Sequence, residues 1–397
     1  MLVENLPVPF DRRVWMESRT LADAGYAVSV ICPLGRTGRL HETLDGIHIY
    51  RYPLPSLPGF LGHVAEYGIA LPATALLSLV VLVRHGFDVL HSANPPDLFF
   101  LIALLYKPFG KKFVFDHHDL VPETCLTRWG GLKQRVMYRV SLWLERATFA
   151  AADTVISTNE SYRAVAIARG AKDPSRVIVV RSGPSLARFV RVAPEPALKD
   201  GFAHLVCYLG VMGPNDGLDH LLDAAAHVVH DRGRADVLFV LIGSGDCHPR
   251  LVARAAELNL VRNVRFVGRI PDQDVIRYLS TADVGVAPDP KDPLNDLSTM
   301  NKILEYMAVG LPVAAFDLVE ARVSAGEAGA YARASDPAAL GDLVLDLIAD
   351  PARRQRMGDA GLRRFRDSLA WEHQAPRLLG AYSMLLGRTP APVRSVV

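Results

Sequence analysis

The sequence predicts an α/β protein built from two doubly wound, Rossmann-like domains with parallel sheets. A chain of 397 residues with 50% hydrophobic content is too long for one ordinary core. Short β-rich runs alternate with longer segments of helical period, the rhythm of a parallel sheet wound by helices. That alternation stops once, at a turn- and proline-bearing stretch near the middle, and then restarts.

In the first half the strand candidates are Tyr26 to Ile31, Val89 to His91, Lys112 to Phe115, Thr154 to Ser157 and Val177 to Val180. Ahead of them only Met1, Leu2 and Val3 precede the Glu4-Asn5-Leu6-Pro7 turn. A strand usually runs ~5 residues, so the first one reads as clipped and the true start is expected upstream. Gly68 to Val83 is the most apolar stretch, but Pro72 interrupts it and it carries Thr74 and Ser78. It falls short of the ~20 residues of a spanning helix and is expected to be a buried one. Arg128 to Arg146 interleaves Trp129, Tyr138 and Trp143 with Lys133, Arg135, Arg139 and Arg146. Such a segment is either a surface helix with one buried face or a helix lying on anionic lipid.

Arg181-Ser182-Gly183-Pro184, followed by Pro194, Pro196 and Lys199, is linker chemistry and places the domain boundary between 183 and 184. Beyond it His204 to Leu209, Val237 to Ile242, Val264 to Val267, Val284 to Ala287 and Pro312 to Phe316 read as strands. Asp336 to Arg366 reads as two helices, and Trp371-Glu372-His373 opens a last one running toward Leu386. The expected organisation is therefore a domain over 1–183, a second over 184–370, a C-terminal helix over 371–387 and a loose tail over 388–397.

A formal charge of +2 gives no global field to draw the chain onto nucleic acid. Cys32, Cys125, Cys207 and Cys247 form no CxxC pair and have no histidine at zinc-ligand spacing, which predicts a reducing, cytoplasmic setting without disulfides or a metal site. The opening MLVENLPVPFDRR does not read as a secretory signal.

In an open α/β sheet, ligands sit beyond the carboxyl ends of the strands, so loops after strands carry the candidates. In Asp289 to Pro312, Ser298 or Thr299 is expected to cap a helix that ends at Gly310 and aims its free N–H groups at a diphosphate. Glu305 suits a ribose diol; equally, it suits an intrahelical ion pair with Lys302. Asp116-His117-His118-Asp119 and His91 to Asp97 both follow strands. Asp11-Arg12-Arg13 reads either as a pair of side-chain phosphate contacts or as a capped, charged first helical turn. Ile242-Gly243-Ser244-Gly245 is too short for a dinucleotide fingerprint.

Glu305-Tyr306-Met307-Ala308-Val309-Gly310-Leu311-Pro312-Val313 resembles the donor-binding helix of the GT4 family of retaining glycosyltransferases. Further matches run in order along nearly the whole chain: Leu21 to Tyr26, Phe115 to Asp119, Ile242 to Gly245, Val264 to Gly268, and Asp350 to Arg354 ahead of Trp371-Glu372. The resemblance implies the GT-B fold, two facing Rossmann-like domains, with the donor held mainly by the C-terminal one. It implies that Glu305 holds the ribose, that His118 contacts the donor sugar near the reacting carbon with Asp119 beside it, and that Gly268 and Arg269 lie at the nucleobase. Ser298, Thr299, Met300 and Lys302 would stand at the start of the donor helix, and Gly210 in the phosphate loop.

The chain departs from the family at two places. The first glutamate of the E-x7-E motif maps onto Leu297, for which Asp296 next door could substitute or else act as a helix-capping acid. The Arg and Lys of the phosphate loop map onto Val211 and Asp216, which leaves Lys302, Arg269, Arg12 or Arg13 to meet the diphosphate. The resemblance further implies transfer from a nucleotide-sugar donor to a saccharide or lipid-linked acceptor, with retained anomeric configuration and no metal or other cofactor. Synthesis of polysaccharide or glycolipid at the inner face of the cell membrane, with peripheral contact to anionic lipid, is the expected setting. The competing readings are a nucleotide-sugar epimerase of the same fold and a catalytically silent binder.

Overall fold

The computed structural model describes residues 1–35, 38–55, 59–128 and 130–387, so Trp129 and the tail over 388–397 lie outside the described residues. The chain divides into two compact units, Met1–Ser182 with the chain from Gln374 onward, and Gly183–His373.

The first unit runs α1 (Arg12–Asp23), β1 (Ser29–Pro33), β2 (His41–Leu44), β3 (Ile47–Tyr52), α2 (Gly59–Arg84), β4 (Val89–Ala93), α3 (Phe100–Tyr106), β5 (Lys112–His117), α4 (Val121–Arg128), α5 (Gly131–Ala151), β6 (Thr154–Ser157), α6 (Glu160–Ala168) and β7 (Val177–Val179). β4-β5-β6-β7 pair in parallel, and β1 pairs in parallel with β3, which folds back antiparallel on β2. Leu2 makes single parallel bridges to Ile31 and Ser92, joining the two sets. The β2–β3 hairpin turns at Asp45-Gly46, both at positive φ, the pair that a two-residue turn of this hand requires. Asp11 caps α1 by accepting from Val14 N–H at 3.0 Å.

Helix α2 corrects the expectation of a buried helix. Its window Ala65–Arg84 has a mean hydropathy of 1.8, yet only 22% of it is buried. Ala70, Thr74, Ser78 and Val81 turn inward, whereas Leu76, Leu79 and Val83 face solvent. The Ser78 hydroxyl is satisfied inside: its Oγ lies 2.7 Å from Tyr106 Oη on α3 and donates to Ala75 O at 2.6 Å. The proline is accommodated within the helix.

The second unit runs β8 (His204–Leu209), α7 (Leu218–Ala226), β9 (Val237–Ile242), α8 (His248–Glu257), β10 (Val264–Gly268), α9 (Asp272–Thr281), β11 (Val284–Ala287), α10 (Asn301–Ala308), β12 (Val313–Phe316), α11 (Val319–Ala325), β13 (Gly329–Ala332), α12 (Pro337–Ala349) and α13 (Pro351–Arg364). Its six parallel strands lie in the order β10-β9-β8-β11-β12-β13, so the winding reverses between β8 and β11. Strands covered on both faces must be apolar along their buried length, as VLFVLI is throughout and HLVCYL is after His204. Alternate side chains feed opposite cores: Val206, Tyr208, Phe239 and Leu241 pack on one face, Leu205, Cys207, Leu238 and Val240 on the other. Helix α14 (Trp371–Leu386) starts in this unit and passes into the first at Gln374.

Candidate functional site

In the second unit the crevice beyond β8 and β11 is where a doubly wound sheet binds ligands. The loops that line it are laced together by their backbones. Gly210 N–H donates to Ile242 O at 3.0 Å, Met212 N–H to Ser244 O at 3.0 Å, and Gly243 N–H to Gly268 O at 2.9 Å. This approach needs glycine: a Cβ on Gly243 would stand 1.8 Å from Gly210 O, and one on Gly217, which is at φ +69°, 1.9 Å from Pro288 O.

Helix α10 is hung from the switch strands by Tyr306, whose hydroxyl accepts from Leu209 N–H at 2.9 Å and donates to Val286 O at 3.0 Å. From Lys302 to Ala308 every residue is buried except Glu305, which is half-buried. The fold therefore spends one face of α10 on the core and leaves that single carboxylate toward the outside. The expected capping by Ser298 or Thr299 is corrected. Met300 occupies the cap position without a side-chain bond, and Ser298 Oγ donates to Leu294 O at 2.7 Å.

Lys302 is neither Glu305's partner nor a surface cation. Its Nζ is buried, 2.6 Å from Asp289 Oδ1 and 5.2 Å from the centre of the Tyr208 ring. Asp216 closes the Gly213 turn from its far end by accepting from Gly213 N–H at 2.9 Å, and burial pushes its carboxyl up while Lys302 pulls it down. Asp296 accepts from Val319 N–H at 2.9 Å at the start of α11, with Lys291 Nζ 3.6 Å away, as a capping acid does. Gly268 ends β10, and Arg269 after it is exposed, as is Arg12 in the first unit.

In the first unit β5 delivers Asp116 and His118 beside one another. Arg13 clamps Asp116 from α1, its Nε 2.8 Å from Oδ2 and its Nη2 2.6 Å from Oδ1, while Nη1 donates to Val180 O at 3.0 Å and Ser182 Oγ at 2.8 Å. This corrects the reading of Arg13 as a phosphate contact, because four of the five guanidinium N–H groups are spent on Asp116, Val180 and Ser182, and Glu17 Oε1 lies 3.1 Å from Nη2. Asp116 Oδ2 in turn holds His118 Nδ1 at 3.0 Å. Burial works against both charges, but Arg13 and His118 hold the Asp116 carboxyl well below the carboxylate range. Burial likewise lowers His118, and Asp116 overrides it, raising the imidazole to about 9. His118 is thus an imidazolium at neutral pH, with one N–H on Asp116 and one to spare.

Asn94 fixes the same loop, its Oδ1 accepting from His118 N–H at 2.9 Å and Asp119 N–H at 3.0 Å, its Nδ2 donating to Asp119 O at 2.7 Å. Burial raises the Asp119 carboxyl. His117 points the other way, fully buried with Nε2 3.6 Å from Glu145. His91 is also interior, its Nδ1 2.8 Å from Tyr382 Oη. Glu17, His91 and Asp116 offer ligand atoms within 4.8 Å of one another, but the Arg13 guanidinium already supplies the positive charge there. A cavity of about 390 Å³ lies at the opposite, amino-terminal ends of β1, β4 and β5, away from His118.

Glu17 is pushed up to about 8 by burial, with Asp116 adding to it and Arg13 opposing. A carboxyl raised in the fold contributes stability that is complete below its ordinary value of 4.5 and is lost as pH rises through about 8. Asp97, also raised to about 8 by burial, adds the same slope. The melting temperature of the first unit is therefore expected to fall from about pH 5 to about pH 8, and Glu17→Gln to flatten the fall. Differential scanning calorimetry across that range decides it; an unchanged slope in the variant would mean Glu17 stays ionised.

Sequence reasoning missed Asp289, Tyr208, Tyr306 and Asn94. Tyr306 stood inside the quoted helix motif and Asn94 inside the loop after β4, but Tyr306 bonds β8 and β11, and Asn94 bonds the His118-Asp119 backbone, 20 or more residues away.

The sequence model described as glycosyl transferases group 1 matches residues 203–350, and the glycosyl transferase 4-like domain matches residues 11–183. The chain is 31% identical over 304 residues to the alpha-maltose-1-phosphate synthase of Mycolicibacterium smegmatis, covering 71% of this chain and 74% of that protein. It is 30% identical over 207 residues to the GDP-mannose-dependent monoacylated alpha-(1-6)-phosphatidylinositol monomannoside mannosyltransferase of Corynebacterium glutamicum, covering 50% and 53%. The sucrose-phosphate synthase of Thermosynechococcus elongatus shares the fold, with a TM-score of 0.80 at 21% identity over 97% of this chain and 99% of that one.

Proposed function

Because the chain belongs to the group 1 family of glycosyltransferases, we propose that it moves a sugar from a nucleotide-sugar donor to an acceptor hydroxyl with retained anomeric configuration, without a metal ion. The single observation that supports the donor assignment is Glu305, the one residue from Lys302 to Ala308 that is not buried, on the helix that Tyr306 ties to β8 and β11. A carboxylate there suits two vicinal ribose hydroxyls. The N-terminal N–H groups of α10 and the laced loops after β8 and β9 suit the diphosphate, with Arg269 as the exposed cation of the same unit. Lys302 acts from the interior, holding Asp289 and the loop in place. Asp296, as a cap of α11, positions the segment ahead of the donor helix.

As the bond to the leaving diphosphate breaks, positive charge grows at the anomeric carbon and negative charge on the departing oxygen. The imidazolium of His118 offers its second N–H to the donor, and Asp116 and Asn94 hold it and Asp119 in position. The acceptor is a saccharide or a lipid-linked glycan, in polysaccharide or glycolipid synthesis on the cytoplasmic side of the membrane. The named relatives are transferases and synthases, which does not favour an epimerase or a silent binder.

A thermal-shift screen against nucleoside diphosphates and their sugars tests the reading, since a ligand of the folded state alone raises its apparent stability. One nucleotide series is expected to raise the melting temperature, and Glu305→Ala to weaken that ligand about 10- to 100-fold, the loss of a charged hydrogen-bonding group worth ~1.5–3 kcal/mol. No shift with any nucleotide, or a shift indifferent to Glu305→Ala, overturns the assignment. Proton NMR of the product then reads the anomeric configuration.

A further inference from the structure

Three neighbouring helices of the first unit present apolar rows to solvent. On α2 the exposed Leu76, Leu79 and Val83 recur at helical spacing, and Val83 is 86% exposed while Thr74 and Ser78 on the inner side are sealed. On α3 the exposed row is Leu101, Leu105 and Phe109 just beyond its end. On α5 it is Leu132, Val136, Val140 and Trp143, the last 64% exposed. The three are contiguous, since Ser78 on α2 meets Tyr106 on α3 at 2.7 Å and α3 packs on α5. Ala70 and Val81 seat α2 on the core beside these hydroxyls, and the contiguous exposed rows on three helices exceed the scattered single apolar residues of an ordinary surface, marking a contact face.

The charge pattern identifies that medium. No aspartate or glutamate occurs on α2 after Glu66 or anywhere on α3, and the single acid of α5, Glu145, is buried against Arg169. The cations of the same helices, Arg84, Lys133, Arg135, Arg139 and Arg146, are exposed. Apolar rows among long basic side chains and without acids fit the interface of an anionic bilayer, where the side-chain stems lie along the acyl boundary and the charges reach the headgroups. The thirteen-residue rise from Arg84 back to Pro72 is packed on the sheet through Thr74, Ser78 and Val81, so α2 lies along such a surface and does not cross it.

We propose that α2, α3 and α5 form one face that seats this chain on an anionic membrane. No residue of this face belongs to the donor site, so the proposal stands or falls apart from the assignment of Glu305. A chain so seated meets acceptors carried in the bilayer.

Flotation of the purified chain with vesicles of phosphatidylcholine alone, and with vesicles rich in phosphatidylglycerol, tests it. The chain is expected to float with the anionic vesicles and at least about tenfold less with the neutral ones. Leu79→Glu with Val83→Glu is expected to cut flotation about tenfold, and Trp143→Ser, on a different helix, to weaken it independently; both changes are at exposed positions, and unchanged melting curves confirm the fold. Arg135→Glu with Arg139→Glu is expected to remove the preference for anionic lipid. Absence of flotation with both vesicle types overturns the proposal, as does flotation that these variants leave intact. So does a dimer in solution that Leu79→Glu dissociates while lipid binding is absent, which would make the face a contact between two copies.

Discussion

Arg13→Ala is expected to cost the first unit about 3–5 kcal/mol, the range for stripping one partner from a buried ion pair, and it leaves Asp116 with His118 as its remaining cation. Asp116 is fully buried, and Arg13 gives it two short bonds while also bonding Val180 O and Ser182 Oγ. For a unit of this size each kcal/mol moves the melting temperature by about 2–4 °C, so a drop on the order of 10 °C should appear in calorimetry. Arg13→Lys is expected to recover only a small part, because a single ammonium cannot make the two parallel bonds and also reach both outer acceptors. A variant that melts within a degree or so of the parent would show that Asp116 is held by something else.

The second large effect concerns His118. With Asp116 anionic beneath it, the imidazole is charged up to about pH 9, and removing a donor aimed at developing charge typically costs about 10²–10³ in kcat. His118→Ala is expected to lose that much while the donor binds within a few-fold of its parent affinity. The parent rate is expected to fall as pH rises through about 9, where the imidazolium gives up its proton. His118→Gln keeps a neutral donor, so its residual rate should run flat through the same range. Steady-state rates at saturating donor, from about pH 6 to 10, separate the cases: a parent profile without that fall, or a His118→Ala rate close to the parent, removes His118 from the chemistry.

The alternating pattern carried the architecture because parallel strands covered on both faces must be apolar along their length. Thr154 to Ser157, His204 to Leu209, Val237 to Ile242 and Val284 to Ala287 appear with the bounds the sequence predicts. The β2–β3 hairpin escaped because neither strand is a continuous apolar run, although Asp45-Gly46 between them was a legible turn signal. β13 escaped because Gly-Ala-Tyr-Ala has little β-rich character and is a strand only by pairing with β12.

The site divides along a physical line. Glu305 and His118 could be picked out because loop and helix chemistry after a strand is local. The commitment of Arg13 could not, since Asp116 is 103 residues away, nor could that of Lys302, whose charge is met by Asp289 from the preceding loop. The exposed apolar row of α2 was hidden for a related reason. Periodicity shows which residues share a face, but not which face meets the sheet.

The return of the C-terminal helix to the first unit sets an order on biosynthesis. Tyr382, which bonds His91 and rests edge-on against Tyr26, emerges from the ribosome only after the whole of Gly183–His373 has been made. At about 5–20 residues per second that interval lasts roughly 10–40 s. The second unit, contiguous in sequence, can therefore finish folding while the first waits with an open flank, so the older part of the nascent chain is the last to mature and the one most in need of a chaperone.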